Sequence, residues 1–513
     1  MAAGRGRLES PPRERTEISG ARVSLAVLGV ALGMFLAALD ITVMGTAMPT
    51  IVGLLGGIEV YSWAFTSYFL ASVGVTPIFG KLADMYGVRR VFLVSIGVFM
   101  AASALCGMSQ SMPQLIFFRA LQGVGGGSLM ALSLTVLGAL FPPDKLGRAM
   151  GVLNAVWGIA AVMGPLIGGV LVEKISWRWI FYINLPTGLA SAAFVLTALG
   201  RRREERRRRR PDFLGGMTLL GGVVALLLVV GHGEPKPFGT LEAVLLAASL
   251  ALLGGFVWTE SRAEEPILPL PLFRVRTFRV ASVLGFLTGA GFFSATVYVP
   301  LFYQGVIGSS AIGAGAVLMP LSLGWSLSSL IGVNALIRRW GERKLLSLGF
   351  GFLCLAYVIL SRVGVGTPYW VVAAAMSILG VGMGYVYTMI LTLVQTSVPK
   401  THLGVVTSST FLFRQLGGSV TVGVLGGLMS RGLTGRLAAL AADPLYRGIS
   451  QGIAGPRDLM RPEVMRQFPA ETAAALQGML AASLSPVFWI SLGVVSAAFL
   501  LSLWFAAARE RTG

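Results

Sequence analysis

Long apolar runs, separated by short polar segments, fill almost the whole chain. An α-helix of about 20 mostly apolar residues crosses a bilayer. Fourteen runs approach or exceed that length, near 23–45, 60–79, 91–110, 114–140, 149–171, 180–199, 213–231, 240–258, 280–302, 312–336, 345–361, 369–396, 404–429 and 482–507. Several are rich in Gly, which in lipid lets helices approach closely. The pattern predicts an all-α integral membrane protein with 14 transmembrane helices.

The spacing contains an internal echo. After the second run comes Gly80-Lys81-Leu82-Ala83-Asp84-Met85-Tyr86-Gly87-Val88-Arg89-Arg90. After the tenth comes Arg338-Arg339-Trp340-Gly341-Glu342-Arg343-Lys344. Both are short and place Gly beside paired cations. If the last six runs repeat the first six, these loops occupy equivalent places, and runs seven and eight form an inserted hairpin. The expected organisation is a tail (1–22), a six-helix bundle (23–199) and a basic linker with two inserted helices (200–279). A second six-helix bundle (280–507) with a long outer loop (430–481) and a short tail (508–513) complete it. Halves related in this way rock about a central site in many secondary transporters.

Composition and charge sharpen this picture. Only 12% of residues are charged, about half the usual density of a soluble domain, and mean hydropathy is +0.77. The net charge of +19 is not a nucleic-acid face, because the cations sit between apolar runs. Of 41 Lys and Arg, 29 fall in segments that are cytoplasmic if the amino terminus is. The positive-inside rule then places both termini in the cytoplasm of a cell-membrane protein. The basic run Arg201 to Arg210 reads as an anchor against anionic lipid. The apolar run after Val23 is too long for a cleaved signal and reads as a retained first span. Cys106 and Cys354 lie in apolar runs and make no disulfide framework.

Four stretches carry a resemblance. Leu39-Asp40-Ile41-Thr42-Val43 with Ala47-Met48-Pro49 is similar to the first-span signature of the fourteen-span drug:proton antiporters of the major facilitator superfamily, although Gly45 stands where that family usually has Asn. The loop Gly80 to Arg90 resembles the superfamily's loop motif, and Arg119-Ala120-Leu121-Gln122-Gly123 its fourth-span motif. Gly158 with Gly164-Pro165-Leu166-Ile167-Gly168-Gly169 resembles the fifth-span antiporter motif, and Trp177 to Pro186 the segment that follows it. The resemblance covers about residues 20–507. It implies the major facilitator fold and export of drugs by exchange for protons. In that family the bend at Pro165 seals the halves against proton leak.

The chemistry concentrates on three charges inside runs: Asp40, Arg119 and Arg414. Charge at lipid depth is costly and is a functional hypothesis by default. At about 1.5 Å per residue, Asp40 and Arg119 lie deep enough to share one cavity. Poor hydration disfavours an ionised carboxylate and a nearby cation favours it. Changing their separation therefore moves a proton on or off. Asp40 reads as the proton carrier and Arg119 as its modulator. The competing readings are a static, hydrogen-bonded Asp40 and an Arg119 pinned to backbone carbonyls. Arg414, beside Gln415, attracts an anionic head group, pairs with a carboxylate from the other half, or is structural. In the loop, Gly80, Asp84, Gly87, Arg89 and Arg90 read as a gate that ties helix ends by charge-assisted hydrogen bonds. Gly158, Gly164, Pro165, Gly168 and Gly169 read as a bent, close-packed helix face.

Candidate cavity residues are Trp63, Tyr68, Gln122, Asn154, Trp157, Phe292, Phe293, Tyr298, Gln304, Trp325, Tyr385, Tyr387, Arg414 and Gln415. Such lining suits an amphipathic, lipophilic small molecule or a lipid, and with Asp40 nearly alone as an acid it disfavours dications. Loop 430–481 places Leu433, Leu437, Leu440, Leu445 and Ile449 at roughly helical spacing. It can lie on a membrane surface, cap the exit, or extend the two flanking spans, and it favours an alternative lipid or glycolipid cargo. No metal-ligand cluster, nucleophile set or phosphate loop is present, so neither an enzyme nor a cofactor is expected. The energy source is a proton gradient, the partners are protons and membrane lipids, and a monomer is expected.

Overall fold

A computed structural model describes residues 20–141, 143–199, 212–231, 239–263, 266–268, 270–398, 403–442, 465 and 468–510. All regular structure among these residues is helical. The helices are α1 (Gly20–Leu55), α2 (Trp63–Tyr86), α3 (Val88–Met108), α4 (Met112–Leu140), α5 (Pro143–Lys174), the single turn α6 (Trp179–Tyr182), α7 (Asn184–Ala198), α8 (Phe213–Gly231) and α9 (Thr240–Glu260). They continue with α10 (Arg276–Gly305), α11 (Ala311–Leu327), α12 (Val333–Leu360), α13 (Tyr369–Thr396), α14 (Leu403–Ala442) and α15 (Ala470–Glu510).

Among the described residues, 12 helical stretches are both long and apolar enough to cross a membrane. The helices of the second and seventh predicted runs, α2 and α8, fall outside that set; α8 contributes a shorter apolar helix, Leu214–Val229. The protein is thus an all-helical membrane protein with about twelve strongly apolar helices. Large exposed side chains on α9, among them Leu241, Val244, Leu250 and Val257, form an apolar surface whose natural solvent is lipid.

Packing partners repeat along the chain. In the first six runs α2 packs on α4, α3 on α4, α1 on α5 and α1 on α7; in the last six α11 packs on α13, α12 on α13, α10 on α14 and α10 on α15. The two groups meet where α5 crosses α11 and α2 crosses α14. The paired helices α8 and α9 lean on this body through α8, which touches α2 and α14. Ser249 on α9 donates to the Gly222 carbonyl of α8 across that pair, at 2.8 Å.

The two echoing loops share a backbone device. Helix α2 runs through Lys81 and Asp84 to Tyr86, so only Gly87 breaks it, with φ +87° and ψ 131°. Gly341 breaks α12 in the same manner, with φ +72° and ψ 166°. L side chains are strained there, which explains why Gly stands at the equivalent point twice. Gly87→Ala is expected to cost about 1–3 kcal/mol, read as a lower unfolding midpoint in detergent. Gly80→Ala is the control: it sits inside α2 with open space around it, where Ala is the better helix former, so no loss is expected.

Segment 430–481 differs from a plain loop. Helix α14 continues to Ala442 and α15 begins at Ala470. Of the alternatives for that segment, extension of the flanking helices holds at both of its ends. Leu433 is buried, Leu437 packs against the core, and Arg436 Nη1 donates to Ser483 Oγ at 3.3 Å. The side chain of Leu440, and Leu445 and Ile449 altogether, lie outside the described residues.

Candidate functional site

Asp40 sits within a helix whose neighbours are almost all apolar or small, so its carboxylate must find partners across helix interfaces. It finds three. Arg119 Nη1 on α4 donates to Oδ2 at 2.5 Å. Gln122 Nε2, one turn further on the same face of α4, donates to Oδ1 at 2.7 Å. Asn184 Nδ2, at the first residue of α7, donates to the same oxygen at 3.3 Å. The network closes on itself. Arg119 Nη1 also donates to Gln122 Oε1 at 2.8 Å, and Ser103 on α3 accepts from both Gln122 and Asn184. Ser103 passes its own proton to the Phe181 carbonyl at 2.9 Å. Arg119 further donates from Nε to the Ala64 carbonyl of α2 at 3.3 Å and lies over the Tyr68 ring, 4.3 Å from its centroid.

All of these side chains are buried: Arg119 is 1% exposed and Asp40 4%. The pair at lipid depth is therefore an ion pair enclosed by α1, α2, α3, α4 and α7. One guanidinium reaches both groups weighed as partners of Arg119: Nη1 the Asp40 carboxylate and Nε the Ala64 carbonyl. Asp40 and Arg119 come together in one enclosed space, and that space is not the central cleft. Residues 41, 42 and 45 of α1 line the central cleft, whereas Asp40 faces the opposite way, into the first bundle. The reason is helical periodicity: neighbours in sequence point about 100° apart.

The cleft is partly open and spans about 590 Å³ of space, its open mouth included, between the two groups of helices. Its walls are Phe65, Phe69, Trp157, Phe292, Phe293, Leu318, Leu321 and Trp325, with Thr42, Thr296 and Ser322 as its hydroxyls. Of the predicted cavity residues it holds Trp157, Phe292, Phe293 and Trp325. The others lie elsewhere. Trp63 packs against Leu70, Leu227 and neighbouring residues of the α2–α8–α14 contact. Tyr68 and Gln122 belong to the Asp40 cluster. Tyr298 donates to the Val422 carbonyl at 2.6 Å, and Tyr385 stacks on Phe352 at 6.2 Å within the second group. Gln304 donates to the Thr46 carbonyl at 2.8 Å and accepts from Thr50 at 3.1 Å, so it latches α10 to α1. Gln415 is buried, and the side chain of Asn154 lies outside the described residues. Aromatic residues were assigned to the cleft by type, but only the face they occupy decides, and that face follows from packing.

The fifth-span glycines sit at two interfaces. Gly164 and Gly168 face Thr42, Val43 and Thr46 of α1, while Gly169 faces the backbone of Ala311 and Ile312 on α11. Gly158 has ordinary contact with Ser326, and Pro165 lies inside α5. A Cβ on Gly169 would come within 2.7 Å of Ile312 Cα. Gly169→Leu is expected to push α5 and α11 apart at about 1–3 kcal/mol. Thermal unfolding of the purified variant checks this; an unchanged midpoint contradicts it.

In the loop group, Arg89 Nη2 donates to the Leu196 carbonyl in the last turn of α7 at 2.8 Å. A cation at a helix carboxyl end is favourable. Arg90 is exposed, and the Asp84 side chain lies outside the described residues. Arg414 is buried on α14, its guanidinium over Tyr387 at 4.6 Å and Phe411 at 5.2 Å. Sequence reasoning passed over Asn184 and Ser103. Both are polar residues in otherwise apolar runs, the same signal that singled out Asp40.

Comparison with known proteins agrees with this architecture. The family model described as Major Facilitator Superfamily matches residues 30–422. The chain is 39% identical over 409 residues to the multidrug transporter protein MdtP of Bacillus subtilis, covering 79% of this chain and 75% of the relative. It is 31% identical over 504 residues to multidrug resistance protein 3 of the same organism, covering 97% and 98%. Among solved structures, a bacterial homolog of the human lysosomal transporter Spinster, inward-facing and unoccupied, superposes with a TM-score of 0.65 at 16% identity, covering 95% of this chain and 98% of that one.

Proposed function

Because the chain belongs to the Major Facilitator Superfamily, and so is a multi-pass membrane transporter rather than an enzyme, we propose that it exports amphipathic drugs or other lipophilic compounds in exchange for protons. The observation that carries this reading is the juxtaposition of a buried ion pair and an apolar cleft on two faces of α1. Asp40 holds Arg119 on one face, and Ile41, Thr42 and Gly45 line the cleft on the other. A proton on Asp40 weakens its hold on Arg119, Gln122 and Asn184. Helix α1 is then free to shift against α4 and α7, and the cleft wall moves with it. Cargo in the cleft and a proton in the bundle thereby compete through one helix.

In this reading the chain is a fourteen-span drug:proton antiporter of the cytoplasmic membrane, with both termini inside and α8–α9 inserted between two six-helix halves. The halves alternate access by rocking. Hydrogen bonds joining them include Gln304 to the Thr46 carbonyl and Tyr61 to the Val297 carbonyl at 2.9 Å, near the α1–α2 connection, and Ser322 to the Ala161 carbonyl at 2.7 Å beside the cleft. With the proposed topology the α1–α2 connection is outer. Asp84, Arg89 and Arg90, around Gly80 and Gly87, tie helix ends in one state and release them in the other. Gly158, Gly164, Pro165, Gly168 and Gly169 keep the interface tight enough to hold the gradient.

The names of the two Bacillus relatives, both multidrug proteins, favour drugs as cargo. One observation favours the second reading, a lipid or glycolipid exporter. Helices α14 and α15 have 40 and 41 residues, about 60 Å each against a hydrocarbon core of about 30 Å. They therefore extend past the bilayer as a pair, where a lipid leaving the outer leaflet needs shelter. Proteoliposomes holding the purified protein test both readings: a pH gradient is imposed, and accumulation of ethidium or transfer of a fluorescent phospholipid is followed. Uphill ethidium movement supports the first reading and lipid transfer the second. Neither movement, with protein shown to be folded, refutes the proposal.

A further inference from the structure

The second group of helices holds a cation without a counter-charge. The apolar runs from 280 to 507 contain no Asp or Glu, and among the described residues no salt bridge reaches Arg414. Its side chain is 7% exposed, and its Nε has no hydrogen-bond partner. What steadies it is aromatic: the Tyr387 ring at 4.6 Å and the Phe411 ring at 5.2 Å. Arg119 shows what a satisfied buried arginine looks like here, with a carboxylate, an amide and a carbonyl around it. An uncompensated charge at such depth is expensive and marks a site.

Arg414 also borders space. A second pocket, narrow and partly open, is lined by Gly285, Thr288, Tyr387, Ile390, Thr410 and Arg414. Two of its three hydroxyls already donate to backbone, Thr288 to Leu284 and Thr410 to Val406. The guanidinium and the Tyr387 phenol are thus the donors left for an occupant. A row of rings in edge-to-face contact runs from the central cleft to this pocket. Phe292 meets Trp325 at 5.1 Å, Trp325 meets Tyr387 at 5.7 Å, and Tyr387 carries Arg414. Phe292 and Trp325 line the large cleft, and Tyr387 lines the small one.

We infer that Arg414 binds the anionic head group of an amphipathic cargo, a sulfonate, carboxylate or phosphate, while the apolar body lies along Trp325 and Phe292 in the cleft. This deepens the export reading and rests on it for the word cargo. The head supplies the missing counter-charge through a forked pair of charge-assisted hydrogen bonds. The rings supply contact that is tolerant of body shape. The cleft itself selects for lipophilicity, and Arg414 adds affinity for cargo that carries an anionic head.

The test is equilibrium binding to the full-length protein in phosphatidylcholine nanodiscs, with empty nanodiscs subtracted and no gradient applied. The probes are dodecyl sulfonate, dodecanol of the same body length, and sodium sulfate. Wild-type protein is expected to hold the sulfonate at least about tenfold tighter than dodecanol, the usual scale of a charge-assisted bond. Arg414→Gln is expected to erase that preference, Arg414→Lys to keep part of it, and dodecanol to bind all three alike. A preference that survives Arg414→Gln overturns the inference. So does an equal loss of dodecanol, which means Arg414 only holds the fold. Sulfate that binds through Arg414 and is not displaced by the sulfonate also overturns it, since the site then belongs to a free inorganic anion. Because no gradient enters, failure of export in proteoliposomes leaves these outcomes readable, and the reverse holds.

Discussion

Asp40→Asn is expected to abolish uphill export, bringing gradient-driven accumulation down to the level of empty liposomes. Asparagine matches the carboxylate in shape, and its carbonyl oxygen can still accept from Arg119 or Gln122. It cannot gain or release a proton at neutral pH, so nothing links the gradient to α1. Downhill equilibration of the same cargo is expected to persist, because the cleft residues face away from position 40. The measurement is a pair of assays on one preparation: accumulation against a concentration step with an imposed pH difference, and passive exchange without it. Retained uphill accumulation sinks the coupling scheme. Loss of both activities together, in protein that unfolds at the wild-type midpoint, sinks it too, because position 40 then serves binding rather than coupling.

Removing the other partner is expected to hurt folding most. Arg119→Met leaves Asp40 enclosed, with only the Gln122 and Asn184 amides beside it. Breaking a buried ion pair from one side costs about 3–5 kcal/mol, among the larger effects a single substitution has. The double variant Asp40→Asn with Arg119→Met removes both charges and is expected to recover most of that loss while still failing to accumulate cargo. Denaturant unfolding in a single detergent, for wild type, both single variants and the double, gives the coupling directly. Additive losses would mean that the 2.5 Å contact carries no net coupling. The double variant also separates stability from function, since it is expected to be folded and inactive.

These expectations rest on residues whose placement was legible to different degrees. Asp40, Arg119 and Arg414 could be picked out from composition, because a charge in an apolar run is conspicuous by its solvation cost alone. Gly87 and Gly341 could be paired from loop pattern, and the structure adds the positive φ that explains the pairing. The helical character of every run except the second and the seventh followed from length and hydropathy. What failed was side-chain direction. Trp63, Tyr298 and Tyr385 are as aromatic as Trp157 and Trp325, yet they pack within or behind the helix groups, while the latter two line the cleft. In lipid every face of a helix is apolar, so the amphipathic stripe that points a soluble helix toward its core is missing. The small moments of these sequences hold no compass.

By itself, then, the chain's sequence determined that it is a helical membrane protein built on an internal echo, with two buried charges in its first part and one in its second. Hydrophobic length and the cost of burying charge are local properties, and both can be read along a line. Only the tertiary structure decided that Asp40 and Arg119 bind each other behind α1 rather than in the cleft. It also decided that Gln304 latches α10 to α1, and that Arg414 meets rings but, among the described residues, no carboxylate. Those outcomes depend on which face of each helix meets which neighbour, and that is settled by close packing of small residues across many interfaces at once.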